Sequence, residues 1–223
     1  MTEVYLARIP AEENKESEKT NASALPLAIK DRIKNTKDVM TRLERIYAYS
    51  LLRCVLNNLG ISDDALCDGF FFDEKGKPHL RGCEIEFSVS HTDGMAAVAV
   101  CKNSAVGVDI EKIDLLKKER VEKLIARFCK NVRTSENKTG ISKKYISDLG
   151  KNQLQALEVL PETPTDGEAA FIEWTVLEAA LKHDGTGFER VKSFDNVIKD
   201  LKTESAVISA GGERYALSVA VKK

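Results

Sequence analysis

Residues 87–111 read FSVSHTDGMAAVAVCKNSAVGVDIE, and this stretch predicts three short strands in succession. TDG at 92–94 supplies the small residues that a hairpin turn needs, and KNS at 102–104 predicts a second turn. Because side chains alternate along a strand, Asp109 and Glu111 at the end of the third strand point to one face. Paired carboxylates of this kind hold Mg²⁺ against phosphate oxygens, although an exposed strand end can also carry them.

The composition indicates an intracellular globular protein. Of the 223 residues 43% are hydrophobic, which is enough for one large or two small domains with a core. A net charge of −1 gives no overall attraction to nucleic acid or to an anionic membrane. The cysteines are odd in number and form no C-x-x-C pair, so neither a disulfide framework nor a thiolate zinc site is indicated. With no apolar run near the roughly 20 residues of a membrane span and no signal-peptide core, we expect a cytoplasmic protein.

Helices are predicted before and after these strands in the sequence. The first covers residues 38–59 and carries three arginines opposite its apolar face: Arg42, Arg45 and Arg53. Another follows Glu111 and ends near Lys130. The last covers residues 168–183, where Trp174, Glu178 and Lys182 share one face. An exposed Glu–Lys pair contributes only ~0.3–0.5 kcal/mol, but the same face could bring Glu178 to the two carboxylates as a third oxygen ligand.

The remaining segments have simpler interpretations. Residues 2–9 predict a first strand, and the polar run at 11–23 predicts a surface connection. Residues 131–167 are polar and contain two prolines, which predicts a partly ordered insertion serving as a lid or a partner surface. Residues 205–221 predict a closing hairpin, and its composition echoes that of residues 87–100, a hint of internal duplication.

Four short motifs follow one another in a fixed order. They are GKP at 76–78, FSVSH at 87–91, GVDIE at 107–111, and WTVLEAALK at 174–182 followed by GTG at 185–187. Each motif alone occurs often by chance, but the ordered set resembles the 4'-phosphopantetheinyl transferases. The chain length resembles the surfactin-synthetase (Sfp) type, and the likeness extends over roughly residues 36–221.

This resemblance implies an α+β protein with the 4'-phosphopantetheinyl transferase fold. In that fold two similar α/β subdomains are related by a pseudo-twofold axis, and the active site lies at their junction. We expect residues 1–106 to form the nucleotide-side subdomain. Residues 107–223 would form the metal-side and carrier-side subdomain, including the insertion at about 131–167. The resemblance also implies a monomer, unlike the trimeric short holo-acyl-carrier-protein synthases.

The activity implied by the resemblance is Mg²⁺-dependent transfer of phosphopantetheine, with Mn²⁺ as an alternative ion. The 4'-phosphopantetheine of coenzyme A passes to a serine hydroxyl of an apo acyl, peptidyl or polyketide carrier protein, and adenosine 3',5'-bisphosphate is released. Asp109, Glu111 and Glu178 match the family's metal ligands. Glu178 also matches the proposed base for the incoming serine, and Lys182 matches the lysine at the diphosphate. No nucleic acid or membrane partner is implied.

The resemblance further implies a set of residues that bind coenzyme A. Ser90 and His91 match the family's Ser-His pair, whose histidine contacts the 3'-phosphate. Arg45 corresponds to the 3'-phosphate arginine, and Lys77 in the GKP turn joins them. Two further basic residues lie in a region that aligns poorly and stay unassigned: Lys30 and Arg32.

Two departures from the family pattern keep other functions open. The family usually has a lysine directly before the helix glutamate, where this chain has Leu177. The family's additional glutamate after Arg127-Phe128 has no clear counterpart, since Arg133 occupies the ungapped position with Glu136 close by. A carrier-binding module that has lost transfer is therefore one alternative. A metal-dependent phosphohydrolase using the same carboxylates is another, and no motif identifies the carrier or its pathway.

Overall fold

A computed structural model of the protein describes residues 2–10, 15–128, 142–145, 160–187 and 197–223. In chain order its strands are β1 (Thr2–Arg8), β2 (Phe70–Phe72), β3 (Pro78–Leu80), β4 (Ile85–Thr92), β5 (Met95–Lys102), β6 (Val106–Lys112), β7 (Ser142–Tyr145), β8 (Leu160–Glu162), β9 (Leu201–Ala210) and β10 (Glu213–Lys222). Its helices are α1 (Lys15–Ser23), α2 (Leu27–Lys34), α3 (Val39–Asn58), α4 (Asp63–Gly69), α5 (Lys118–Phe128) and α6 (Ala169–Asp184), with a 3₁₀ turn at Leu115–Lys117. Helices and largely antiparallel sheets make this an α+β protein, as predicted.

Two four-stranded sheets share one pattern of connections. Their strand orders are β4-β5-β1-β7 and β6-β10-β9-β8, and β2 pairs with β3 in a small separate ribbon. In the first sheet β5 pairs with both β1 and β4, and in the second β10 pairs with both β6 and β9. The sequence strand, helix, hairpin therefore occurs twice, as β1-α3-β4-β5 and as β6-α6-β9-β10. We call these two sets the first and the second unit.

The two sheets face each other, and a helix covers the outer face of each. One face of β5, with Val98 and Val100, packs against α3, and the other face, with Met95 and Ala97, packs against the second sheet. Because β5 is buried on both faces, its sequence is a continuous apolar run instead of an alternating one. On the far side of the second sheet, α6 packs against β9 and β10.

Side-chain hydroxyls of β4 join the edges of the two sheets. Along the edge of β6 that faces β4, three backbone N–H groups donate to side-chain hydroxyls of β4. In each pair the hydroxyl lies 20 residues earlier in the chain. The pairs are Val108 with Ser88 (3.1 Å), Ile110 with Ser90 (3.4 Å) and Lys112 with Thr92 (3.2 Å). A buried N–H without a partner is costly, so these hydroxyls replace the strand that would otherwise satisfy the edge. We call this row of bonds the hydroxyl ladder.

Most sequence-based expectations for individual elements are confirmed. The three strands of residues 87–111 form, and α3 begins where the carboxylate of Asp38 accepts from the amide of Thr41 (2.7 Å). The C-terminal hairpin also forms. The prediction of a surface connection at residues 11–23 is wrong for its second part, where α1 forms. Ala22 of α1 packs against the core between α3 and the first sheet. None of the described helices is long and apolar enough to cross a membrane.

The expected insertion contributes a strand to each sheet where the structure describes it. β7 lies parallel to β1, and β8 lies antiparallel to β9. The remaining residues of the 131–159 stretch lie outside the described ranges. The expected subdomain boundary after residue 106 falls just inside β6, after its first residue, and stays a prediction.

Candidate active site

Gly107 sets the distance between α6 and the second sheet. A Cβ atom at this position would lie 1.9 Å from the carbonyl oxygen of Ala179 and 2.5 Å from the amide nitrogen of His183. Both atoms belong to the backbone of α6, which cannot give way as a flexible side chain could. Glycine is therefore required for α6 to approach β6 this closely. The same close approach brings the polar face of α6 next to the carboxylate of Asp109.

Asp109 lies at the centre of this contact and is 2% exposed. Its Oδ1 accepts a hydrogen bond from the hydroxyl of Ser90 (2.8 Å) and another from the ammonium of Lys182 (2.6 Å). The ammonium also donates to the Ser90 hydroxyl oxygen (2.8 Å). One residue from β4, one from β6 and one from α6 thus meet at a single point, and we call this group the Ser90–Asp109–Lys182 triangle.

The second oxygen of Asp109 has no hydrogen-bond partner. Its Oδ2 is fully buried and unpaired within the described part of the chain. Buried carboxylate oxygens are almost always bonded, because leaving one unpaired costs the desolvation of that atom. Oδ2 is therefore available as a ligand to a cation.

Two glutamates share the site with Asp109. Glu111 Oε2 accepts from the hydroxyl of Thr92 (3.2 Å), and Glu178 lies on the same face of α6 as Lys182. Burial and the charge of Asp109 raise the pKa of Glu111 to about 7. Burial and the same charge raise the pKa of Glu178 to about 8. Three carboxylates thus face one ammonium, an excess of negative charge that a cation would relieve.

The carboxylate oxygens of this cluster are the ligand type that a hard divalent cation prefers. Their spacing does not match that of a metal site. Mg²⁺ takes oxygen ligands, and the cluster offers carboxylate oxygens with one unpaired. Across the described ranges, no group of three or more His, Cys, Asp or Glu side chains is spaced to hold one ion. The ammonium of Lys182 lies against Asp109 Oδ1 at 2.6 Å. Binding of one ion by all three carboxylates would therefore require their side chains to move.

A cleft of about 270 Å³ opens beside this cluster. Its walls come from α2, α3, the turn between β2 and β3, β4 and α6, so both units contribute. Glu178 lines the cleft, together with four basic residues: Arg32, Lys75, Lys77 and Lys182. An excess of cations in a partly enclosed space favours an anionic ligand such as a diphosphate.

Lys77 is held in place by its turn and by α6. The carboxylate of Asp73 accepts from the amides of Lys75 (2.9 Å) and Lys77 (2.8 Å), and Gly76 provides the left-handed residue that closes the turn (φ +88°). The ammonium of Lys77 donates to the carbonyl of His183 near the end of α6 (2.6 Å). Burial lowers the pKa of Lys77. Lys77 thus lies in the wall of the cleft.

The cleft also contains residues that the sequence did not assign. The guanidinium of Arg32 lies 4.0 Å from the ring centre of Phe72 and donates to the carbonyl of Gly76 (3.3 Å). Tyr49 of α3 lines the same wall, and burial raises the pKa of its hydroxyl. Neither residue lies in a motif. Arg32 reaches the cleft because α2 packs beside β2, a contact that no local pattern of residues reveals.

His91 and Arg45 lie apart from the triangle and are not among the residues that line the cleft. His91 is on the face of β4 opposite to Ser90, and its Nδ1 lies 3.0 Å from Oε2 of Glu44 in α3. The guanidinium of Arg45 donates to the hydroxyl of Thr36 (2.6 Å). Six of the predicted site residues are thus close to one another: Lys77, Ser90, Asp109, Glu111, Glu178 and Lys182. The other two form separate contacts next to α3.

The structure gives a packing reason for Leu177. This side chain is fully buried and belongs to a small core with Ile125, Ala170 and Leu181 between α5 and α6. A lysine there would place an ammonium among apolar groups. A leucine at this position therefore fits how α5 covers α6. Arg133, at the ungapped position of the additional glutamate, and the nearby Glu136 lie outside the described residues, and that role stays unassigned.

No protein-family profile matches the chain, and a search of curated proteins finds no significant match. Function therefore has to be inferred from the residues of the site.

Proposed function

We propose that the protein is a 4'-phosphopantetheinyl transferase that modifies a serine of an apo carrier protein with the phosphopantetheine arm of coenzyme A. The observation that carries this proposal is the Ser90–Asp109–Lys182 triangle, in which three of the ordered sequence motifs meet. The repeated strand, helix, hairpin connection supports the two-part transferase fold. The free cysteines of the described residues agree with a cytoplasmic setting.

The basic cleft provides a binding surface for the diphosphate of coenzyme A. Lys77 and Lys182 both line the cleft, and Arg32 is oriented by Phe72 and Gly76. All three cations are held by hydrogen bonds that leave further N–H groups free to donate, since an ammonium has three donors and a guanidinium five. Fixed cations stabilise developing oxygen charge without reorganisation during the reaction.

The metal-binding residues of the proposed enzyme are Asp109, Glu111 and Glu178. Asp109 would contribute its unpaired Oδ2, while Thr92 keeps Glu111 at the edge of the triangle. Bound Mg²⁺ or Mn²⁺ would neutralise negative charge on the diphosphate oxygens.

The reaction forms one P–O bond and breaks another. The serine oxygen of the carrier bonds to the phosphorus that bears the pantetheine arm, and adenosine 3',5'-bisphosphate leaves. Glu178 takes up the serine proton, the role implied by its match to the family's proposed base. Lys182 and Lys77 stabilise the charge on the leaving phosphate.

The test is to incubate the protein with coenzyme A, Mg²⁺ and a panel of apo acyl, peptidyl and polyketide carriers, and then to weigh each carrier by mass spectrometry. We expect at least one carrier to gain a single phosphopantetheine, and we expect Asp109→Ala and Glu178→Ala to abolish the gain while remaining folded. An unmodified panel would contradict the proposal. Carrier and coenzyme A binding without transfer would favour the inactive binding module, and hydrolysis of coenzyme A without a carrier would favour the phosphohydrolase.

A further inference from the structure

Tyr49 adds a phenol to the wall of the cleft. The residue lies in the middle of α3, is 8% exposed, and lines the cleft together with Arg32 and Lys182. Its ring meets those of Phe70 and Phe72 edge to face, with the ring centres 6.2 Å apart in each contact. Edge-to-face contacts on two sides favour one orientation of the ring, so the position of the hydroxyl is fixed.

The hydroxyl of Tyr49 lies among cations. Burial raises the pKa of the phenol, while a hydrogen bond with Arg32 and the charges of Arg32, Arg45 and Lys182 lower it. Because the net shift of the pKa is upward, the phenol keeps its proton at neutral pH. The group is therefore a neutral O–H donor surrounded by positive charge.

The hydrogen bond with Arg32 leaves the proton of the phenol unused. A guanidinium has donors only, so the phenol oxygen is the acceptor in this bond. Among the residues that the structure describes, Arg32 is the hydrogen-bond partner of this phenol, and none of them accepts its proton. Buried donors normally have an acceptor, because leaving one unpaired costs its desolvation.

The packing of the ring does not require the hydroxyl. A phenylalanine at position 49 would make the same two aromatic contacts with Phe70 and Phe72. The hydroxyl therefore serves the contents of the cleft, where the surrounding cations favour an anionic acceptor. A phosphate oxygen is such an acceptor, and hydrogen bonds to ionised oxygens are about twice as strong as neutral ones.

We propose that the Tyr49 hydroxyl binds the nucleotide donor directly, by donating a hydrogen bond to a phosphate oxygen that Arg32 also contacts. This inference rests on the proposed function and adds to its cleft a binding residue from outside the ordered motifs. Coenzyme A offers two sources of the oxygen, its diphosphate and its 3'-phosphate. The O–H bond has a fixed direction, so it orients the phosphate in a way that the compact charge of a lysine does not.

The test measures the Kd of coenzyme A and of 3'-dephospho-coenzyme A by calorimetry. Tyr49→Phe removes the hydroxyl and keeps the ring contacts, so we expect the affinity for coenzyme A to fall about tenfold or more in a folded protein. A loss with both nucleotides assigns the bond to the diphosphate, and a loss with coenzyme A alone assigns it to the 3'-phosphate. Tyr215→Phe is the matched control, since Tyr215 is a buried tyrosine of β10 whose hydroxyl lies next to Gly94, and it should leave both Kd values unchanged.

A second comparison separates direct contact from an effect through Arg32. In an Arg32→Gln background, Tyr49→Phe should still weaken the binding of coenzyme A by at least about threefold. Absence of any further loss there would overturn the inference and make Tyr49 a positioning residue for Arg32. An unchanged Kd in the single Tyr49→Phe variant would overturn it as well.

The binding measurements also distinguish this inference from the proposed function. If the unmodified protein binds neither nucleotide, both are overturned. Binding of coenzyme A without transfer to any carrier counts against the proposed function alone, because the Kd values still decide the role of Tyr49.

Discussion

The hydroxyl of Ser90 donates to Asp109 across the junction of the two sheets, at 2.8 Å. The same oxygen accepts from the amide of Ile110 and from the ammonium of Lys182. One hydroxyl therefore connects the first sheet, the second sheet and α6. The geometry of the candidate site depends on how these three elements are held together.

Removal of the Ser90 hydroxyl should affect activity more than stability. In Ser90→Ala, Asp109 loses a donor and Lys182 loses an acceptor, so we expect a loss of about 1–3 kcal/mol in the free energy of unfolding and a large fall in transfer. Urea denaturation and the carrier assay measure the two effects. Ser205→Ala is the matched control, because Ser205 is a buried hydroxyl on β9 that bonds to Ser218 and not to the triangle. Equal losses of transfer in both variants would contradict a specific role for Ser90.

Gly107→Ala should destabilise the protein strongly. The added methyl group would meet the backbone of α6 at 1.9 Å, so helix and sheet must separate, and we expect a loss of about 3 kcal/mol or more. Gly187→Ala is the control for stability, since nothing lies within 4 Å of a Cβ there, and we expect a change within about 0.5 kcal/mol. Denaturation curves distinguish the two. A Gly107→Ala protein of unchanged stability would mean that α6 lies farther from β6.

The stability of the metal-free protein should fall as the pH rises. In the unfolded chain glutamate loses its proton near the ordinary value of 4.5, whereas the folded protein keeps those of Glu111 and Glu178 until the pH reaches about 7 and about 8. Between these values the folded state binds more protons, so unfolding becomes easier with increasing pH. Thermal unfolding measured from about pH 5 to about pH 9 should show a decreasing Tm.

Added Mg²⁺ should reverse that trend. Because the ion requires ionised carboxylates, its stabilising effect should be larger at about pH 8 than at about pH 6, with a rise in Tm of a few degrees. Glu178→Gln should reduce both the pH dependence and the effect of Mg²⁺. An effect of Mg²⁺ that is equal at both pH values, or unchanged in Glu178→Gln, would remove these carboxylates from the ion's ligands.

Introduction of a lysine at position 177 should destabilise the fold. Leu177 is fully buried between α5 and α6, so Leu177→Lys buries an unpaired ammonium, and we expect a loss of about 3 kcal/mol or more. Leu177→Met conserves volume and should cost less than about 1.5 kcal/mol. Denaturation of the two variants is the direct comparison. A stable Leu177→Lys protein with faster transfer would show that this position faces the carboxylates.

The elements with strong local patterns could be predicted from the sequence. The alternation of side chains along a strand predicts that Asp109 and Glu111 share one face of β6. The helical repeat predicts that Glu178 and Lys182 share one face of α6. The apolar face of residues 38–59 predicts α3, which forms at Val39–Asn58. These features follow from neighbouring residues along the chain, which is why they needed no knowledge of the tertiary structure.

Contacts between distant segments could not be predicted in this way. β6 follows β5 after a short turn but pairs with β10, where Val106 faces Val221. The approach of α6 to Gly107 and the contact of His91 with Glu44 likewise depend on packing between elements. α1 was missed because its sequence is almost entirely polar and gives no clear apolar face. Pairing and packing across the chain are decided by the whole core, which a local pattern does not contain.

Both units contribute residues to the cleft, so a single unit does not form it alone. The first unit contributes Ser88 and Val89 to its lining, and α6 of the second contributes Glu178 and Lys182. A chain consisting of one strand, helix, hairpin unit could not contain this cleft by itself. If the two units arose by duplication, an ancestor with one unit per chain would have needed two chains to form the cleft, and joining them made its assembly independent of protein concentration.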